Sequence, residues 1–146
     1  MTQTQPASNA VAQAQSAAGQ HDTWYVFRGE EGVKGPDGKG HDAFVPSSLV
    51  AKVGQPVTLS VINYDEGGHT ITCDGLNLDQ QIQAGIASGN DVKPVTTTFT
   101  FTPQKAGVFR WVCNVKCDKG GNYWAMTDGY DGPGQDGFMA GFIVVI

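Results

Sequence analysis

No stretch of this 146-residue chain approaches 18 consecutive apolar residues, so no segment reads as a membrane-spanning helix. Charge is also scarce, at 16% Asp, Glu, Lys and Arg, and the nine bases nowhere form a run. With a net charge of −5 this sets nucleic acid aside as a partner, because phosphate binding needs clustered Lys and Arg. The start lacks the basic and apolar blocks of a signal peptide. Cysteine is limited to Cys73, Cys113 and Cys117, too few for a disulfide scaffold in a chain that can build its own core. The odd number leaves at least one thiol without an internal bridge. Histidine stands only at His21, His41 and His69, and none follows Cys113. No G-x-S-x-G, no H-E-x-x-H and no phosphate-cradling glycine loop occurs, and a Cys113–His69 hydrolase pair has no marked third group, so no enzyme is expected.

What is present is glycine, 20 residues of it, spaced among short β-rich runs. Residues 1–20, MTQTQPASNAVAQAQSAAGQ, carry neither charge nor aromatic ring and cannot bury enough apolar area to offset ordering. We divide the chain into a flexible tether over 1–22 and one domain over 23–146. A tether suggests either an anchor or export signal upstream of residue 1, or simply a frayed terminus. From Thr23 onward, TWYVFR reads as a strand, followed by a polar loop over 29–42. Further strands are predicted at 48–52, 57–63, 69–78, 95–103, 108–113 and 139–146. In VTLSVIN, Val57, Leu59, Val61 and Asn63 share one face at period two. In the next strand His69, Ile71 and Cys73 do the same, and 79–94 reads mainly as a loop. Seven to eight short strands at this spacing predict an all-β Greek-key sandwich or small barrel.

Two thiols four apart, in WVCNVKCDKG, follow an aromatic strand. They could hold a metal, form a bridge or simply pack. Taken with KVGQPVTLSVINYDEGGHTI, FTFTPQKAGVFRWVC and GFMAGFIVV, they give residues 44–146 a pattern that resembles the cupredoxins, the copper-binding Greek-key sandwiches. That resemblance implies Asn63 as a brace and a metal set of His69, Cys113, Cys117 and Met139. A thiolate–imidazole–thioether set suits both copper oxidation states. The C-x-x-x-C spacing also resembles the binuclear copper domain of cytochrome oxidase subunit II, with Met126 in place of Met139. Both site types carry a histidine downstream of the first cysteine, where this chain has Gly121, Asn122 and Tyr123. His21 and His41, in polar surroundings, are read as solvated rather than as ligands.

The resemblance implies an extracytoplasmic electron-transfer protein of a respiratory chain, with a redox protein as partner. The alternative is a copper-free module of the same fold, with a disulfide among Cys73, Cys113 and Cys117 replacing the metal. Cys73, on the Ile71 face, is equally a core residue. Residues 118–138 form a long loop whose Tyr123, Trp124, Tyr130 and Phe138 could cover the site. Its four aspartates lack the alternation and closing Glu of an EF-hand, so calcium is not expected.

Overall fold

The computed structural model describes residues 19–29, 31, 33–35, 38–116 and 136–146. Residues 1–18 of the tether, Cys117, Met126, Tyr123, Trp124 and Tyr130 lie outside the described residues.

Thirteen β segments run along the described residues. They are β1 (Gln20–Phe27), β2 (Val33–Lys34), β3 (Gly40–His41), β4 (Ala43–Val45), β5 (Leu49–Ala51), β6 (Val57–Asn63), β7 (His69–Cys73), β8 (Leu78–Ile82), β9 (Ile86–Ser88), β10 (Asp91–Lys93), β11 (Val95–Phe101), β12 (Gly107–Val112) and β13 (Ala140–Val145). A single 3₁₀ turn, Asp74–Leu76, is the helical element among the described residues. One sheet has the order β11-β6-β1-β4 and the other β5-β13-β12-β7-β8, while β2–β3 and β9–β10 form separate two-stranded ribbons. The mixed pairing arises where β1 runs parallel to β6 and β13 parallel to β5, with antiparallel neighbours elsewhere.

Period-two patterning explains why the two sheets face each other. Along β6 burial alternates strictly, with Val57, Leu59, Val61 and Asn63 inward. Thr58 and Ser60 point outward, their hydroxyls paired with Thr100 and Thr98 across β11. Trp24 and Val26 of β1, Phe44 of β4, Ile71 and Cys73 of β7, Trp111 of β12, and Ile143 and Val145 of β13 complete the core. Each large aliphatic or aromatic side chain buried there contributes about 1.5–3 kcal/mol before ordering entropy is counted. Trp24, Phe44 and Trp111 form its centre, with the Phe44 and Trp111 rings 4.9 Å apart and edge-on. Trp111 reaches across to β5's approach by donating its indole N–H to the Ser47 carbonyl at 2.7 Å. Gly141 makes that approach possible, since a Cβ there would sit 1.8 Å from the same carbonyl oxygen.

The strands predicted at 57–63, 95–103, 108–113 and 139–146 are present within a residue or two. Residues 79–94, expected as a loop, instead hold β8, β9 and β10. Strand β8 pairs along the whole of β7 and buries Ile82 as an edge strand with one solvated face. Its alternation, Leu78, Gln80 and Ile82 against Asp79 and Gln81, is too polar to stand out without the partner strand. Strand β1 begins at Gln20, whose backbone N–H is bonded to the Pro56 carbonyl, so residues 20–22 belong to the sheet.

Candidate metal centre

Strands β7 and β12 bring His69 and Cys113 together at one end of the second sheet, while Cys117 lies outside the described residues. Val112 pairs with Thr72, so the first residues of β7 lie beside the chain leaving β12. His69 opens β7 and is fully buried, as are Cys113 and Met139. The His69 Nδ1 and Cys113 Sγ atoms are 3.8 Å apart. That separation equals the one between a nitrogen about 2.0 Å and a sulfur about 2.3 Å from a common ion, with about 120° between the two bonds. Met139 is joined to the same place through its carbonyl, which accepts the Cys113 N–H at 2.8 Å. The residues present thus suit a soft metal such as copper in their chemistry and in the spacing of the His69–Cys113 pair.

The sulfur sits in a built environment. The Thr70 backbone N–H donates to Cys113 Sγ at 3.4 Å. Thr70 also locks the chain after the cysteine, its hydroxyl accepting from the Asn114 N–H at 2.9 Å and donating to Asn114 Oδ1 at 3.0 Å. A donor aimed at the sulfur stabilises negative charge on it and lowers its tendency to give up electrons.

The imidazole is held from its other side. His69 Nε2 lies 2.7 Å from Asp65 Oδ2, both groups buried, and the Phe44 ring stands edge-on to the imidazole at 6.1 Å. Burial opposes charge on His69, but the hydrogen bonds to Asp65 and Cys113 outweigh it and raise its pKa to about 9. The loop that carries Asp65 is shaped by Asn63, whose amide donates to the Gly67 and Gln83 carbonyls and accepts from the Asp65 N–H. Asn63 therefore braces the loop, as its place in the sequence pattern implied. Asp42 brings a second buried carboxylate, and Asp42, Asp65 and His69 each have a ligand-type atom within 4.8 Å of the others. Its Oδ1 accepts from the Gly29 N–H at 2.7 Å.

Two sequence readings change. His41, expected in solvent, is fully buried, its ring edge-on to Phe138 at 6.0 Å. Phe44 N–H bonds to the Phe138 carbonyl, and the Phe138 ring covers this histidine. A polar loop read without its tertiary partner looks solvated. Cys73 is a free thiol, which removes the pairings that would have joined it to Cys113 or Cys117. Asp65, Asp42 and Thr70 had not been singled out. The Asp-x-x-x-His spacing of 65 and 69 was the available signal for the first; nothing in the sequence marks Asp42.

No protein-family model matches this sequence, and no curated protein matches it either. Among solved structures, a copper nitrite reductase from Nitrosomonas europaea superposes with a TM-score of 0.52 at 16% identity, over 86% of this chain and 40% of its own. This chain thus spans about two fifths of that protein. A blue copper oxidase from Nitrosomonas europaea aligns over 86% of this chain and 38% of its own at 17% identity and a TM-score of 0.49. A purple cupredoxin from Nitrosopumilus maritimus aligns over 86% of this chain and 99% of its own, also at 17% identity, with a TM-score of 0.41. At such identities the likeness is one of architecture, and this chain has the all-β, cupredoxin-like sandwich fold.

Proposed function

We propose that this protein binds copper through His69, Cys113 and Met139, with Cys117 as a further soft ligand, and that it carries electrons rather than catalysing a reaction. The observation that carries this reading is the 3.8 Å approach of His69 Nδ1 to Cys113 Sγ in a buried pocket, with the Thr70 N–H directed at the sulfur. Copper held there would supply a one-electron couple. The protein's own contribution is to bury the ligands, fix the imidazole through Asp65 and stiffen the Cys113 segment through Thr70 and Asn114. Rigid ligands change little between oxidation states, which favours transfer over turnover. The reading includes an extracytoplasmic location, a redox protein as partner and a place in a respiratory chain. Among the described residues no helix is long and apolar enough to cross a membrane.

The test is titration of the reduced protein with Cu(II), together with a metal analysis and a thiol count on the denatured, unreduced protein. Strong visible absorption from thiolate-to-copper charge transfer, stoichiometric copper and three titratable thiols are expected. A colourless protein with a single titratable thiol would mean that Cys113 and Cys117 are bridged, and the copper reading would fall.

A further inference from the structure

The carboxylate behind His69 is a costly thing to bury, and several parts of the loop are arranged to hold it. Asn63 fixes the Asp65 N–H at 2.8 Å, and the Gly85 N–H bonds to the Asp65 carbonyl at 2.7 Å. A Cβ on Gly85 would come within 2.8 Å of that carbonyl and 2.9 Å of the Asn63 carbonyl, so only glycine lets the two segments approach. On its other flank the Asp65 carboxylate lies against Gly67, where a Cβ would meet Oδ2 at 3.0 Å. A backbone carbonyl would suffice to orient the His69 ring. A carboxylate adds a full negative charge, and burying one is unfavourable unless a partner answers it. Here the partner is His69 Nε2 at 2.7 Å. Asp42 adds a second buried carboxylate within 4.8 Å of the same pair.

We propose that Asp65 is a positioning residue of the metal centre: it holds the His69 ring with Nδ1 toward Cys113 and, through its charge, makes that single imidazole a stronger donor. The inference rests on the copper reading above and deepens it. A site with one imidazole and one or two thiolates is soft and by itself favours Cu(I). Negative charge placed behind the imidazole raises its basicity and favours the more highly charged ion. Asp65, reinforced by Asp42, thus offsets the histidine missing after Cys113 and keeps Cu(II) accessible to the pocket.

The test compares Asp65→Asn, which keeps an acceptor but removes the charge, with Asp65→Ala, which removes both. In the metal-free protein, nitrogen-15 NMR of the histidines should show a His69 Nε2 proton protected from solvent exchange in the wild type and in D65N, and unprotected in D65A. In the copper-loaded protein, D65N should keep the charge-transfer band while its preference for Cu(II) over Cu(I) falls about tenfold, a rise of about 59 mV for a one-electron couple. An unchanged potential in D65N overturns the electrostatic half of the proposal, and a protected Nε2 proton in D65A overturns the positioning half. If the wild type shows no copper band the copper reading fails by itself, and the metal-free NMR comparison still decides whether Asp65 positions His69.

Discussion

Cys73 and Cys113 are both fully buried in the core cluster, yet they stand at opposite ends of β7's reach and meet different polar neighbours. Cys73 closes β7 within the apolar cluster, and burial pushes its thiol above the ordinary value of 9.0, only partly countered by backbone N–H groups of Leu76 and Gly75. Cys113 faces an imidazole, receives a backbone N–H and is tied to Met139 through its own N–H. Burial alone therefore says nothing about whether a cysteine is a ligand. The imidazole beside Cys113 and the tie to Met139 separate the two, because a metal needs further donors next to the sulfur.

The sharpest way to break the comparison is to remove each sulfur in turn. Cys113→Ala should abolish the copper charge-transfer band completely, whereas Cys73→Ala should leave it intact; loss of the band in both variants would erase the distinction. Between the two ends, Ile71→Ala opens a cavity against the core and should cost about 2–5 kcal/mol in denaturant unfolding while the band remains. Cys73→Ser puts a hydroxyl where an apolar thiol packs and should cost about 1–3 kcal/mol, again without optical change. The smallest effect is on pH dependence. The raised thiol pKa of Cys73 means that the folded protein favours its neutral form. This keeps stability whole below pH 9.0 and withdraws it as the pH climbs toward the folded pKa. The difference in unfolding free energy between wild type and Cys73→Ala should thus shrink as the pH rises above 9.0, and a constant difference would show that burial does not perturb this thiol.

Much of the sandwich is legible in local alternation. Val57, Leu59, Val61 and Asn63 announce an inward face that the neighbouring strands then cover, and Phe99 and Phe101 mark β11 in the same way. Strand β8 was not legible because Asp79, Gln80 and Gln81 are ordinary loop residues until β7 supplies the hydrogen-bonding edge. His41 escaped for a related reason: glycines and charges surround it in sequence, while in space Phe138, almost a hundred residues away, covers it. At the candidate centre, residues 63, 69, 113 and 139 stood out in the pattern, and the fold places His69 beside Cys113. The spacing of Asp65 to His69 was a faint hint of a carboxylate there and Asp42 had none, because neither charge has meaning until the fold removes water from around it.

The amino-acid sequence by itself determined the class of fold, the period of its strands and the supply of soft donor atoms at Cys113 and Met139. These follow from local chemistry, since alternation chooses inward faces and sulfur chooses soft metals. Only the tertiary structure decided how closely His69 meets Cys113, and which nitrogen of its ring faces the sulfur. Those outcomes depend on strand register and on a buried acceptor at Asp65, both set by contacts between segments distant along the chain or across a folded loop.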